Sequence, residues 1–568
     1  MQSHGVRAAS GDAAAALALG TGLSLVAFVC LTYLFSALTL IVGLTLESLI
    51  AVAIMFLSFA VAGLIGTASR PDLRPAVFVL LAAVLAVSAG FSLLLSDTTI
   101  DGQWYHFQAV AALAEGWNPY YESFTGVPSL GEPGYSIWPE HYPLAHWIVM
   151  GVSFSAGLPL EAVKFIQPAL IMAAGLLTFA ALRQLGLSLA VSLFVALAAS
   201  ANPVAVSQIF SKMNDGLIAS SLLIFAALAM LWMRSGQRVF LGMLAGFIVF
   251  AVNIKFTAIP IFVVACAIFT AILVWTRSLR ASIQPAATLA GAGLFGIIVV
   301  GFSPYVQNFA GFGHPFYPLM AGKGVQATDI MTLVTPEAIK VRSDFEAFWF
   351  SLFATSHSGF PPGEPVLKLP FTLADGELYA AGAVDTQIAG FGPLFSGAFF
   401  VSAGLVVFLL VTQWRKPVPM LVLSLTIAVL AFTVVFPESW WARYVPQLWL
   451  VPVGFALAAL LTDTRPAQLA AFGVLAILLT NSTIVFISNA KRCYDRQIAI
   501  EAQIDRFTAI GGQIVIDPDL SVTRLRVLQR RGIDFRVEAP IDPTTCIIGE
   551  QMASYGGDLP GGYVCIKR

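Results

Sequence analysis

The chain has 568 residues, of which 58% are hydrophobic and 11% charged, with a formal net charge of −1. A soluble protein carries about 25% charged residues, so an ordinary globular domain is excluded. No basic segment stands out, which argues against a nucleic-acid partner.

The opening MQSHGVRAASGD is a short polar leader, and the apolar run after it is too long for the core of a cleaved signal peptide. Apolar runs of membrane-spanning length then recur along most of the chain. Thirteen spans are predicted, at 17–41, 46–66, 75–95, 162–182, 186–202, 215–233, 238–252, 256–275, 284–303, 393–412, 418–435, 446–461 and 467–487. Six short basic loops lie between them, around Arg70 to Arg74, Arg183, Arg234 to Arg238, Arg277 to Arg280, Arg415-Lys416 and Arg465. With the N-terminus in the cytoplasm all six fall on the same, inner side. The segment HYPLAHWIVMGVSFSAG (141–157) is apolar but short, and is expected at the outer surface as an interfacial or re-entrant helix.

The outer side then holds loops 96–161 and 304–392 and the tail 488–568. In the tail, QIVIDPDLSVTRLRVLQRRGIDFRVE and TTCIIGEQ alternate like strands around a helix, so a small α/β module is expected there. The expected fold class is an all-α polytopic membrane protein with about 13 transmembrane helices and this module appended. It divides into a two-span extension (1–74), a transmembrane domain with its outer loops (75–487) and the tail domain (488–568). Cys546 and Cys565 would pair if the tail meets an oxidising compartment, and stay free thiols otherwise. Cys30 and Cys266 lie inside apolar runs, as packing residues do.

Where the third span ends, the chain reads DTTIDGQWYHFQAVAALAEGWNPYYE from Asp97 to Glu122. Residues 103–115 suit a helix, with Trp104, Phe107, Ala111 and Ala114 at helical spacing and Gly116 and Pro119 to stop it. Its aromatic face suits the outer leaflet. Asp97 and Asp101 occupy the turn before it, and the plain reading of Asp101 is an N-cap.

The sequence resembles the GT-C superfamily of membrane glycosyltransferases. Asp101-Gly-Gln-Trp-Tyr105-His106, followed by Gly116-Trp-Asn-Pro119, is similar to the Asp…Tyr-His…Gly-Trp-x-Pro pattern of bacterial members. His141-Tyr-Pro143, Lys212-Met-Asn214-Asp215, Ser303-Pro-Tyr, Gly313-His-Pro-Phe-Tyr-Pro318 and Trp440-Trp-Ala-Arg443-Tyr-Val-Pro446 resemble later outer-face motifs of the family, in order. The chain departs in having three spans before the first large loop, where the family usually has one, and in lacking an Asp-x-Asp pair in loops 96–161 and 304–392.

The resemblance implies a hexosyl or pentosyl transferase of a bacterial inner membrane, with a periplasmic active site. It would move a sugar from a polyprenyl-phosphate-linked donor to a glycan, lipid or protein acceptor. Asp101 would be the general base, with Asp97 in reserve at the same turn. Arg443 would bind the donor phosphate bidentately, unless it snorkels beside Trp440 and Trp441; Glu438 would pair with it and set its direction. Lys255, at a break between two apolar runs, reaches either a phosphate or the interface. Asn214 and Asp215 either cap a span or bind the acceptor and assist Asp101, with Tyr105 and His106 in support. Trp104, Trp117, Tyr120 and Tyr121 either stack on sugar rings or form an aromatic belt. No cofactor is expected, with a divalent metal as the alternative: His106, His141, His314 and His357 reach the outer side and, with Asp residues, could bind one, but their spacing matches no known site.

The rival reading is a transporter or flippase of lipid-linked sugars. Transporters place ionisable residues at mid-membrane and carry internal repeats, whereas here the charges gather at the outer face. A scaffold that recruits partners through its tail would leave the polar stretch around Asp101 without a role.

Overall fold

The computed structural model describes residues 12–127, 132–133, 137–358, 364–517, 528–529, 531–538, 540–551 and 563–567. Among these, ten helices are long and apolar enough to cross a membrane, and four shorter apolar helices accompany them. In chain order, with Phe107–Ala114 counted as α4, the first eight are α1 (Ala13–Ile41), α2 (Ser48–Gly66), α3 (Pro71–Ser92), α4, α5 (Ala145–Ser155), α6 (Ala162–Gln184), α7 (Leu189–Ser200) and α8 (Asp215–Ser235). Then follow α9 (Arg238–Ala251), α10 (Ala258–Thr276), α11 (Leu279–Val300), α12 (Phe395–Thr412), α13 (Pro417–Val435), α14 (Pro446–Leu460) and α15 (Arg465–Ile510). The chain is a polytopic helical membrane protein.

Three of the thirteen predicted spans, at 186–202, 238–252 and 446–461, are the short helices α7, α9 and α14. At about 1.5 Å per residue the twelve residues of α7 rise about 18 Å, short of the ≈ 30 Å hydrocarbon core. Asn202 ends it, capping a new turn at Pro203 through Val204 N (3.0 Å). The two-span extension does not stand apart: α1 is buried along most of its length, with Tyr33 edge-on to Phe250 of α9 (5.8 Å between ring centres).

One expectation is corrected. α4 does not lie on a lipid surface: residues 107–113 are all buried inside the protein. Residues 145–153 of α5 are buried as well, which sets aside the interfacial alternative for 141–157 and leaves the re-entrant one. The two helices pack directly on each other, and a Cβ on Gly151 would stand 3.0 Å from that of Leu113. The opposite side of α4 is covered by the tail, where Phe107 and Ala111 join Ile500, Ile504, Phe507, Ile514 and Ile566 in one apolar cluster. What reads as a lipid-facing stripe is therefore a protein-facing one, since both bury apolar area equally well.

The boundary expected at 488 falls inside α15, which runs unbroken for 46 residues, about 69 Å at helical rise. Its upper part buries Asn489, Arg492, Cys493, Ile500, Ile504 and Phe507 at helical spacing, and Gly511 and Gly512, both at positive φ, release the chain. Beyond it β3 (Gln513–Ile516), β4 (Phe535–Val537), β5 (Ile548–Gln551) and β6 (Tyr563–Lys567) form a sheet in the order β4-β3-β6-β5. β3 and β4 run parallel and the other pairs antiparallel. A smaller antiparallel pair, β1 (Gly126–Val127) and β2 (Glu132–Pro133), sits between α4 and α5. Cys546 and Cys565 form a disulfide that ties β6 to the turn before β5. Of the helix expected between β3 and β4, residues 518–527 and 530 lie outside the described residues.

Candidate active site

The Asp97–Asp101 turn is organised by its first residue. Asp97 Oδ1 accepts from Thr99 N (2.9 Å) and Thr99 Oγ1 (2.7 Å), and Oδ2 accepts from Lys212 N (2.7 Å), 115 residues further on. Lys212 Nζ lies 3.6 Å from the same carboxylate and 3.9 Å from Glu161, which pairs with Lys164 at 2.5 Å and accepts from Asp97 N at 3.0 Å. Both oxygens of Asp97 are engaged and its side chain is fully buried, so it stitches the segment after α3 to the segments before α6 and α8. A free base needs an accessible lone pair, which this carboxylate lacks.

Thr99, not Asp101, caps the helical turn: its Oγ1 accepts from Gly102 N at 3.0 Å, and Asp101 makes no capping bond. The turn is π-helical over Gly102–His106 before it becomes α4. Gly102 is required for space, because a Cβ there would stand 2.2 Å from Asp97 Oδ2 and 2.3 Å from Thr99 Oγ1. Gly102→Ala is expected to destabilise the protein by about 1–3 kcal/mol through overpacking. An unchanged melting temperature in detergent would contradict that tight turn.

Freed from capping, Asp101 points to a second cluster. Arg443 Nη2 lies 3.6 Å from Asp101 Oδ2, and Arg443 Nε lies 3.1 Å from Asp215 Oδ2. Lys255 Nζ pairs with the other oxygen of Asp215. Gln208 completes the shell, donating from Nε2 to Asp215 Oδ2 (3.0 Å) and accepting from Gly216 N (2.8 Å). Asp215 is wholly buried, whereas the Asp101 side chain is 31% exposed. Tyr444 lies under the Lys255 ammonium (4.9 Å) and Trp441 under the Arg443 guanidinium (5.2 Å). Tyr105, Trp138 and Tyr142 form an aromatic wall with ring centres about 6 Å apart.

The electrostatics set Asp101 and Glu161 apart. Burial pushes Asp101 above the usual aspartate range, opposed by Arg443 and reinforced by Asp385 and Asp215. Lys255 is lowered, chiefly by burial, against the pull of Asp215. At Glu161 burial works upward, but Lys164 and Lys212 prevail and hold it down to about 2. A depressed carboxyl stabilises the folded state above the ordinary Glu value of about 4.3 and loses that contribution as pH falls toward its folded pKa. Acid unfolding between those limits is expected to weaken in Glu161→Gln. A variant that keeps the parent's full pH dependence over that window would contradict this pairing.

The remaining candidates divide. Asn214 does not cap α8; its Nδ2 donates to Ile254 O (3.0 Å), holding the Lys255 break against the start of α8. Glu438 does not direct Arg443: it accepts from Trp440 Nε1 at 2.6 Å, and the partners of Arg443 are Asp215 and Asp101. His106 is buried behind Tyr105 (ring centres 4.3 Å apart), where its Nδ1 accepts from Trp147 Nε1 (2.7 Å) and faces His146 Nε2 (3.1 Å). His141 instead meets Asn308 at 2.9 Å. Among the described residues no group of three or more His, Cys, Asp or Glu side chains is placed to hold a metal ion.

Gln208, Glu161 and Lys164 went unread in the sequence. Each is a polar residue at the edge of an apolar run, a signal that is visible but does not name its partner. With the site's geometry set out, comparison with protein-family models gave no match, and comparison with curated proteins gave none either.

Proposed function

We propose that the protein is a GT-C-like membrane glycosyltransferase that uses a polyprenyl-phosphate-linked sugar. The observation that carries this reading is the pairing of one accessible carboxylate, Asp101, with the Arg443–Lys255 cation pair anchored on buried Asp215. The acceptor O–H proton passes to Asp101 as the acceptor oxygen bonds to the anomeric carbon. The bond from that carbon to the phosphate oxygen breaks, and its electron pair leaves on the phosphate. Arg443 has donor capacity left for that phosphate, since a guanidinium carries five N–H donors and its carboxylate contacts are Nε with Asp215 and a long Nη2 approach to Asp101, and Lys255 adds charge beside it. One accessible base suits inversion at the sugar, since the neighbouring carboxylate of Asp215 is buried and held by Lys255 and Arg443.

The basic loops around Arg70 to Arg74, Arg183, Arg277 to Arg280 and Arg415-Lys416 lie on the side of the N-terminus whether or not α7, α9 and α14 cross, and support a cytoplasmic N-terminus. The Cys546–Cys565 disulfide supports a tail in an oxidising compartment, hence the periplasmic side of a bacterial inner membrane.

The test is release of polyprenyl phosphate from a labelled donor by purified protein in detergent, with a panel of acceptors. A transporter has no compartments to join there and releases none. A base that gains its proton below a raised pKa gives an acid limb in kcat/KM. That limb is expected above the usual Asp value of about 3.9. A profile flat down to pH 4 would contradict Asp101 as the base.

A further inference from the structure

Behind the Asp101 turn lies a second polar recess. Its walls are Thr98 to Ile100 of the first outer loop, Val384 and Asp385 of the second, and Arg492 and Arg496 of α15. Its cavity of about 30 Å³ is large enough for ordered water or one small oxyanion and too small for a sugar ring.

Arg492 is 5% exposed. Its guanidinium lies 4.3 Å from the centre of the Tyr379 ring, and Nη1 donates to Tyr379 O (3.0 Å). Arg496, one helical turn on, makes a long contact from Nη1 to Thr98 O (3.5 Å). Among the described residues neither guanidinium has a carboxylate within ion-pairing distance. Asp385 shares the recess and attracts Arg492 at longer range, without a contact at ion-pairing distance to either. A buried guanidinium without a counter-ion is costly, and two of them at i and i+4 repel. Each also has more N–H donors than these contacts use. The recess therefore carries two positive charges against one negative, with donors to spare.

We propose that this recess is an oxyanion site, distinct from the Asp101–Arg443 cluster, that takes a phosphate group between Arg492 and Arg496. Arg492 stands 27 residues beyond Arg465, the start of α15, or about 40 Å along the helix, just past a ≈ 30 Å hydrocarbon core. Both a phospholipid headgroup and a free phosphate can reach that level. The site does not depend on the glycosyl-transfer reading.

The test uses the full-length protein in detergent, with inorganic phosphate as the probe and sodium chloride at matched ionic strength as the control. Phosphate is expected to raise the melting temperature with half-saturation in the millimolar range. Arg496→Gln, which alters a partly exposed side chain, is expected to weaken that response at least tenfold, and Arg492→Lys several-fold. Native mass spectrometry after incubation with phosphatidylglycerol separates the sources. A lipid adduct lost in Arg496→Gln assigns a headgroup, and a phosphate response without an adduct assigns a free anion. The proposal is overturned if the parent shows neither response, or if both persist in Arg496→Gln. It is also overturned if the response disappears in Arg443→Gln while Arg496→Gln keeps it, because phosphate then binds at the Asp101 cluster instead.

Discussion

Asp215→Ala is expected to destabilise the protein by about 3–5 kcal/mol, the usual consequence of leaving a buried charge without its partner. The side chain is fully buried and receives three groups: Lys255, Arg443 and Gln208 Nε2. Its removal leaves an ammonium and a guanidinium facing each other in a desolvated space. Asp215→Asn keeps an acceptor for Gln208 but not the charge, and should fall between the parent and Asp215→Ala. Unfolding midpoints in detergent read the series directly. Equal midpoints for all three proteins would mean that Asp215 does not anchor the cation pair.

Asp101→Asn is expected to reduce turnover by about 10²–10⁴-fold, the usual contribution of a general base, with little change in stability. Its side chain is partly exposed, its ion pair to Arg443 is long at 3.6 Å, and it makes no capping bond. Asp97→Asn should behave in the opposite way. It breaks a buried network of Lys212, Thr99 and Glu161 contacts, so the loss appears first in folding. The two carboxylates, four residues apart, are thus separated by measuring melting temperature and turnover on the same preparations. If Asp97→Asn folded normally and lost turnover while Asp101→Asn kept its turnover, the roles assigned here would be reversed.

Much of the fold was legible because membrane spans announce themselves by length and hydropathy alone. The strands β3, β4 and β5 were also visible, from alternation in the tail. Tertiary partners were not. An apolar helix reads the same whether lipid or protein covers it, so α4 looked interfacial although the tail cluster and α5 enclose it. The run of α15 past 488 had a local sign, since no proline follows Pro466 before Gly511-Gly512, but the drop in hydropathy outweighed it. At the site, Asp101, Asp215, Lys255 and Arg443 were each singled out, while their grouping around Asp215 spans 342 positions, from Asp101 to Arg443, and no spacing encodes it. Glu438 shows the same limit: closeness in sequence suggested Arg443, and the indole of Trp440 is its partner instead.

The most direct measurement is single-turnover transfer of labelled sugar from short-chain polyprenyl-phosphate donors, with purified parent and Asp101→Asn compared and donor binding followed separately. The mechanism predicts product from the parent, and bound donor but a 10²–10⁴-fold slower transfer in the variant. Equal rates in the two proteins would contradict it.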